Sequence, residues 1–312
     1  MTESTFPAST IKIAVLGDIH NHWDEQDIAT LHSLKADLVL FVGDFGNEAV
    51  NVVRSIATLD LPKAAVFGNH DAWYTATPWG RKKCPYDRQT EDWVQLQMNL
   101  LGPADVSYGK RDFPELGLTV IGGRPFSWGG SEWKHASFYR ERYGVNNFTE
   151  STERMKQAID AAAFDTLIFI GHCGPTGLGD QPESPCGRDW KPIGGDFGDP
   201  DLAAAIAYAQ QSGKSVPLVT FGHMHHGLRH RKDIQRQRVS QDAAETLYLN
   251  AACVPRIVKA EVSCRRNYSL ITLSQRKVIQ SELVWVDQTH KIVAAEDLLT
   301  ELANNRPLQP LG

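Results

Sequence analysis

The sequence has few cysteines, no long apolar segment and no excess of basic residues. Its 312 residues include five cysteines, and no two of them are spaced as a CxxC pair. An odd number of scattered cysteines argues against a disulfide framework and predicts free thiols in a reducing, cytoplasmic setting. No apolar segment approaches the roughly 20 residues that cross a bilayer. The N-terminal MTESTFPAST lacks the basic and apolar regions of a signal peptide, so we expect no association with a membrane.

Charge and composition narrow the class of protein further. The formal net charge is -5, which gives no support for a long nucleic-acid track, and we expect no nucleic-acid partner. A hydrophobic share of 42% and a charged share of 22% are typical of a globular chain. No linker divides the sequence. We therefore predict one domain over residues 1–312, with a core over about 11–288 and a C-terminal helix and tail over 289–312.

Short apolar segments rich in β-branched residues alternate with helical patterns along most of the chain. The predicted strands cover 11–17, 36–43, 63–68, 117–123, 165–171, 216–222, 246–252, 268–273 and 278–286. The predicted helices cover 24–34, 47–59, 89–101, 151–164 and 199–212. Nearly continuous apolar strands are typical of sheets covered on both faces, and their alternation with helices predicts a layered α/β fold. After residue 240 strands follow one another without helices, which predicts an antiparallel addition to the fold. Two long loops, 72–88 and 173–199, have the length of functional loops.

Five of the predicted strands end in glycine followed by an acidic, amide or histidine residue. The blocks are GDIH with Asp18 and His20, GDFGN with Asp44, GNHD with Asn69, His70 and Asp71, GHCG with His172, and GHMH with His223 and His225. Any one of these residues alone is more simply explained as a turn residue or helix cap. Turn formation and capping do not explain five coincident strand ends together. Ligands of α/β sheets bind beyond the carboxyl ends of the strands, where these residues lie. Glycine allows the sharp turn that brings such side chains into one crevice.

The residue types in these blocks indicate metal binding. Carboxylates and imidazoles suit Zn, Fe and Mn. The candidate ligands are Asp18, His20, Asp44, Asn69, His172, His223 and His225. Seven ligands are too many for one catalytic ion but enough for two ions about 3.5–4 Å apart, bridged by a carboxylate and a hydroxide. Asp44 is the natural bridge. His223 and His225 are two residues apart, as are Asp18 and His20, so extended backbone would point each pair to one side. Met224 would then point away, and His226 would be packed or solvated.

The five blocks, in this order, resemble those of the calcineurin-like metallophosphoesterase superfamily. The resemblance implies an α/β sandwich of two mixed sheets flanked by helices, in four layers, with two divalent or mixed-valence ions. It would assign Asp18, His20, Asp44 and His225 to one ion and Asp44, Asn69, His172 and His223 to the other. His70 would lie beside the site without binding a metal ion, and its imidazole would pair with Asp71.

This resemblance implies a hydrolase of phosphoesters, with His70 as general acid and Asp71 orienting its ring. The substrate would be a small or nucleotide-like monoester or diester. Phe67 before GNHD differs from the pattern of Ser/Thr protein phosphatases, and Asn47 stands where purple acid phosphatases have a tyrosine ligand. One alternative stays open. The chain could bind a phosphorylated ligand or regulate a partner on the same fold without turnover.

Several further residues are weaker candidates for substrate contacts. His22 and Arg124 follow strand ends and could contact substrate, although a turn residue and a solvated loop arginine explain them equally well. The basic segment 229–238 could contact RNA or an acidic partner, although a mobile hairpin loop is the simpler explanation. Four loop tryptophans could stack on a nucleobase, or simply pack their loops onto the sheet: Trp73, Trp79, Trp128 and Trp190.

Overall fold

The computed structural model describes residues 10–260 and 263–305. Its strands are β1 Thr10–Leu16, β2 Leu38–Phe41, β3 Lys63–Ala65, β4 Lys110–Phe113, β5 Leu118–Gly122, β6 Thr166–Ile170, β7 Ser215–Phe221, β8 Val239–Gln241, β9 Leu247–Asn250, β10 Ile257–Ala260, β11 Ser263–Ser274, β12 Lys277–Asp287 and β13 Ile292–Asp297. Its helices are α1 Glu25–Ser33, α2 Val50–Ala57, α3 Trp73–Ala76, α4 Pro78–Arg81, α5 Trp93–Leu101, α6 Ala136–Tyr143, α7 Phe148–Asp160, α8 Pro200–Gln211 and α9 Leu299–Asn305. Within this part of the chain, no helix is both long enough and apolar enough to cross a membrane.

The strands form two mixed sheets. In the first sheet the order is β13-β12-β11-β1-β2-β3, with β10 paired to β11. Here β1, β2 and β3 run parallel, and β11 joins β1 antiparallel. In the second sheet the order is β4-β5-β6-β7-β9-β8, with β5, β6, β7 and β9 parallel and the two outer strands antiparallel. The antiparallel strands after β9 match the addition predicted from the sequence.

The two sheets pack face to face, and helices cover both outer faces. Ile13 and Val15 of β1 face the core between the sheets, whereas Ala14 and Leu16 face the outer layer, as the two-residue period of a strand requires. The outer face of the first sheet packs against α1, α2, α5 and α6. The outer face of the second packs against α7 and α8. The predicted sandwich of two mixed sheets flanked by helices is therefore confirmed. The assignment of residues 1–312 to one domain stays a prediction.

The sequence patterns do not predict two of the edge strands. The edge strand β4 reads KRDF, and the edge strand β13 reads IVAAED with every residue exposed. Charged side chains on an edge strand, such as those of KRDF, resist pairing with other chains. The helix and tail predicted over 289–312 begins instead with β13, and α9 follows. The end of that prediction, 306–312, lies outside the described residues.

In the basic segment 229–238, which was predicted to be a hairpin loop, two of the arginines are buried. Arg236 Nη1 donates to three carbonyls of the long loop 173–199, those of Pro182, Ser184 and Gly187. Arg238 pairs with Glu296 of β13 and Glu301 of α9. These arginines satisfy backbone and carboxylate groups inside the fold, so they do not form a surface for nucleic acid.

Candidate metal centre

The candidate ligands lie just beyond the carboxyl ends of five parallel strands. Asp18 follows β1, Asp44 follows β2, and Asn69 begins a short 3-10 helix, Asn69–Ala72, after β3. His172 follows β6, and His223 and His225 follow β7. The first three strands belong to one sheet and the last two to the other. Both sheets therefore contribute ligands to the same edge of the sandwich.

Asp18, His20 and His225 form one cluster of potential ligand atoms. Asp18 Oδ1 lies 3.3 Å from His225 Nε2 and 3.7 Å from His20 Nε2. The two imidazole nitrogens are 3.2 Å apart. Two ligands bound at about 2.1 Å to one tetrahedral or octahedral ion would be separated by roughly 3.0–3.4 Å. The spacing of this cluster is close to that range.

Asp44, His172 and His223 form a second cluster, with Asn69 beside it. His172 Nε2 lies 3.3 Å from Asp44 Oδ1, 3.2 Å from His223 Nδ1 and 2.9 Å from Asn69 Oδ1. His172 Nδ1 is 2.9 Å from the Val42 carbonyl and donates its proton there. The Nε2 of the neutral ring then carries a lone pair directed toward the other ligand atoms.

Asp44 lies between the two clusters. Its Oδ1 faces His172, while its Oδ2 lies 3.9 Å from His20 Nε2 and 4.0 Å from His70 Nε2. Each oxygen therefore faces a different cluster, as a bridging carboxylate requires.

One buried atom tests whether these residues suit a metal ion. Asp18 Oδ1 is buried and has no hydrogen-bond partner among the described residues, although its carboxylate is close to two imidazoles. An unpaired buried carboxylate oxygen is costly unless a cation satisfies it. The donor set contains nitrogen and oxygen atoms, which suits Mn, Fe or Zn. The residues therefore fit metal ions.

Burial and neighbouring charges set the protonation of the clusters. Burial lowers the pKa of His20, and burial together with the nearby His172 lowers the pKa of His223 well below its usual range. Burial alone would raise the pKa of Asp18, but the close approach and charge of His225 outweigh it and lower that pKa. Burial would lower the pKa of His225, but Asp18 raises it. An ionised Asp18 beside neutral His20 and His223 is the protonation state that binds metals.

The backbone brings these side chains together by left-handed turns. Asp18, His20, Asp44 and His223 have φ values of 49°, 44°, 58° and 68°. Such values are uncommon for residues other than glycine and concentrate at functional sites. Extended backbone was predicted to point Asp18 and His20 to one side, and likewise His223 and His225. This prediction is wrong, because left-handed residues interrupt the extended backbone in both pairs. Met224, expected to point away, lines the same cavity as its neighbours.

Asp71 supports the site differently from the prediction. Its buried carboxylate accepts hydrogen bonds from the backbone N–H groups of Asp44, Phe45 and Gly68, at 2.9, 2.8 and 2.7 Å. It thereby ties the turn after β2 to the turn after β3. Among its described hydrogen bonds none reaches the His70 ring, so the expectation that Asp71 orients that ring does not agree with the structure.

Asn47, rather than Asp71, contacts the His70 ring. Asn47 Oδ1 lies 2.6 Å from His70 Nδ1, and the His70 ring stacks on Trp73 with centroids 5.0 Å apart and planes 6° apart. The sequence signal for this role was the asparagine three residues after Asp44 in GDFGNEA. In the sequence alone, Asn47 is notable only because it stands where purple acid phosphatases have a tyrosine ligand.

His22 and Arg124 do not line the cavity. His22 is exposed, and its carbonyl accepts a hydrogen bond from Arg256. Arg124 is buried, with Nη2 2.5 Å from Asp199 and Nε 2.9 Å from Asp201. Its guanidinium is therefore occupied inside the fold, which argues against the expected contact with substrate.

His226 is packed in the core next to the ligands. It is 4% exposed, and its Nε2 lies 3.0 Å from the Asn250 carbonyl. Burial lowers the pKa of His226 from 6.5 to about 4. The folded protein therefore holds this ring neutral where an unfolded chain would protonate it.

This difference predicts a loss of stability in acid. As pH falls from 6.5 to 4, the unfolded state takes up a proton that folded His226 does not, so the free energy of unfolding decreases by about 3 kcal/mol. Above pH 6.5 the residue has no such effect. Urea unfolding at a series of pH values should show a shallower pH dependence in His226→Gln than in the wild type. The exposed-residue control His22→Gln should keep the wild-type slope, and an unchanged slope in His226→Gln would contradict the prediction.

The two clusters open into a cavity of about 630 Å³. Besides the candidate ligands and His70, it is lined by residues of four loops: Trp73, Trp128, Lys134, Asp189, Trp190, Phe197, Met224, Gly227, Arg229 and Arg236. Lys134, Phe197 and Arg229 were missed because a single residue in a loop has no periodic signal. A cavity of this size is in the range of small-molecule sites.

The cluster around Asp18 should be sensitive to a methyl group at Gly222. A Cβ on Gly222 would be in hard contact with Asp18 Oδ2, so Gly222→Ala would displace that carboxylate. We expect affinity for Mn²⁺ to fall about tenfold or more, measured by titration of the metal-free protein. Gly109→Ala is the control, because a Cβ there meets its nearest atom at 3.6 Å. Equal metal affinity in the two variants would show that Asp18 is not a ligand.

Comparisons with known proteins agree with this arrangement. A model of the calcineurin-like phosphoesterase family matches residues 11–227. No curated protein gives a significant match. Among solved structures, a protein of Thermus thermophilus is 12% identical, with 93% of this chain and 100% of that chain covered and a TM-score of 0.49. A dimetal phosphatase from Danio rerio is 12% identical, with coverage of 92% and 98% and a TM-score of 0.46.

One further solved structure, also 12% identical, reaches a TM-score of 0.51 with coverage of 93% and 100%, and it shares the fold. The family match extends over most of the described residues and includes every block that contributes a candidate ligand. The chain therefore belongs to the calcineurin-like phosphoesterase family and is a phosphoester hydrolase.

Proposed function

We propose that the chain hydrolyses a small or nucleotide-like phosphoester, a monoester or a diester, with two metal ions bridged by Asp44. The observation that carries the proposal is the position of Asp44, whose two oxygens face two separate groups of ligand atoms. In this assignment Asp18, His20 and His225 complete one site, and Asn69, His172 and His223 complete the other. Mn, Fe and Zn all suit these ligands. The five cysteines are free thiols, which supports the expectation of a reducing, cytoplasmic setting.

When bound, two cations supply charge neutralisation for the ester and a lowered pKa for water. The protein supplies the position of the ester and a proton for the leaving group. Asp71 holds the turns that contain Asp44 and Asn69, so the ligands are fixed before substrate binds. The cavity beside them accepts the organic part of the substrate.

His70 is the proposed general acid. Asn47 Oδ1 is an acceptor, so His70 Nδ1 keeps its proton and Nε2 is the atom that gains and loses one. His70 lines the cavity, and its Nε2 is 4.0 Å from Asp44 Oδ2. A proton on Nε2 can therefore reach a leaving oxygen held beside the clusters. Stacking on Trp73 fixes the plane of the ring.

Hydrolysis of p-nitrophenyl phosphate and bis-p-nitrophenyl phosphate tests the proposal. The full chain would be assayed with added Mn²⁺, Fe²⁺ and Zn²⁺, and bound metal would be measured on the same samples. We expect metal-dependent release of p-nitrophenol from at least one ester. Two bound ions without release from either ester would favour the alternative, a protein that binds a phosphorylated ligand without turnover.

A further inference from the structure

One wall of the cavity consists of aromatic rings and cations. We call Trp128, Lys134, Trp190, Phe197 and Arg229 the aromatic subsite. We infer that this subsite binds a flat aromatic group and a second anionic group of the substrate, which is therefore a nucleotide-type phosphoester with more than one negative group. The inference rests on the proposed function for two points, the position of the ester bond beside the metal clusters and the neutralisation of its charge there.

The rings of the cavity form two groups. Trp73 lies between His70 and Trp128, with centroids 5.0 and 5.5 Å away and planes 6° and 28° apart, so three rings stack in series from the clusters outward. Trp190 and Phe197 meet edge to face, with centroids 4.9 Å apart. The three rings of the subsite are only half-buried. Aromatic rings that stay partly exposed in a cavity favour a planar ligand that packs against them.

The cations of the subsite have no acidic partner in the described part of the chain. Lys134 Nζ lies 5.1 Å from the Phe197 centroid and 3.4 Å from the Gly129 carbonyl. Arg229 lies 5.4 Å from the Trp190 centroid, and its guanidinium is in no ion pair with a described residue. The charge of the ester itself would be neutralised by ions held at the two clusters. Two more cations therefore favour a substrate with an additional negative group.

Arg236 also lines this cavity but, unlike Lys134 and Arg229, it has an acidic partner. It is buried, and its Nη2 lies 3.4 Å from Asp189 Oδ2, which also accepts from the Arg229 backbone N–H at 2.8 Å. Asp189 is thus engaged by Arg236 and by the backbone. It does not form an ion pair with the Arg229 side chain, which is left for a ligand.

The subsite is held in place before a ligand binds. Its residues come from the loops that follow β5, β6 and β7, and these loops are bonded to one another. The Gly130 N–H donates to the Phe197 carbonyl at 2.9 Å, and Arg236 Nη1 fixes three carbonyls of loop 173–199. Little ordering entropy is then lost on binding, so stacking and charge contribute directly to affinity.

Binding of three probes to the Mn²⁺-loaded full chain tests the inference. Quenching of tryptophan fluorescence after rapid mixing gives Kd for AMP and ADP before turnover, and competition with AMP gives Kd for ribose 5-phosphate. We expect AMP to bind roughly tenfold more tightly than ribose 5-phosphate, because base stacking supplies that much affinity. ADP should bind about fivefold more tightly than AMP, because its second phosphate meets Lys134 and Arg229.

The variants separate the two parts of the subsite. Trp190→Leu should remove most of the preference for AMP over ribose 5-phosphate, and the double variant Lys134→Gln/Arg229→Gln should remove the preference for ADP over AMP. Trp285→Leu and Arg265→Gln are matched controls, because Arg265 lies 5.0 Å over the Trp285 ring outside this cavity. They should keep both preferences.

Equal wild-type affinities for AMP and ribose 5-phosphate would overturn the inference, as would variants that keep both preferences. These outcomes can be told apart from failure of the proposed function. That failure would appear as absence of ester hydrolysis by the metal-loaded protein, whereas the probe affinities are measured without turnover.

Discussion

Replacement of Asp44 by asparagine is expected to lower kcat at least about 1000-fold and to release bound metal. The amide keeps the size of the side chain but removes the negative charge and one of the two oxygens that face the clusters. Loss of a bridging ligand removes several kcal/mol of transition-state stabilisation, and each 1.36 kcal/mol is a factor of ten in rate.

The measurement is hydrolysis of bis-p-nitrophenyl phosphate, together with metal content by mass spectrometry. Asp105→Asn is the matched control, because this carboxylate is half-buried but accepts from the Ser107 N–H outside the clusters. The control should keep its metal and its rate. A fully active Asp44→Asn variant with less bound metal would contradict the role of Asp44.

Replacement of His70 by glutamine is expected to lower kcat by about 100- to 10,000-fold for an ester with an alkoxide leaving group. Metal content should not change, because His70 is not among the proposed ligands and its Nδ1 faces Asn47. The loss should be much smaller with p-nitrophenyl esters, since p-nitrophenolate leaves without protonation.

This dependence on the leaving group separates a general acid from a structural residue. The kcat of each variant would be measured with a methyl ester and with a p-nitrophenyl ester of the same phosphate group. The exposed-residue variant His22→Gln is the control. If His70→Gln slows both esters equally, or loses metal, then His70 is not the general acid.

Local patterns in the sequence predicted a layered α/β fold and the convergence of seven candidate ligands, whereas the sandwich of two mixed sheets was implied by the family resemblance. Buried parallel strands have apolar sequences, and ligands follow their carboxyl ends. Asp44 and His172 are examples. Each directly follows a strand and its glycine, and the structure places their side chains 3.3 Å apart although they come from different sheets.

Other features could not be read from the sequence because they depend on which distant groups meet. Asp71 is next to His70 in sequence, yet its carboxylate turns to the backbone of Asp44 and Phe45, and Asn47 contacts the ring instead. Arg124 follows a strand end like the ligands, but Asp199 and Asp201 pair with it inside the fold. Sequence spacing contains no information on such partners.

The left-handed turns were also missed, since non-glycine residues rarely adopt them. The hydrogen bond from the His223 N–H to Asp18 Oδ2, 2.9 Å long, helps to hold one such turn. Tertiary contacts of this kind determine the backbone there. They explain why GHMHH does not continue as a strand.

A crystal structure of the Mn²⁺-loaded protein is the sharpest test of the proposal that two ions bind side by side and share Asp44. Anomalous diffraction at the manganese edge should show two peaks about 3.5–4 Å apart, one on each side of the Asp44 carboxylate. A single peak, or two peaks of which neither contacts Asp44, would contradict this proposal.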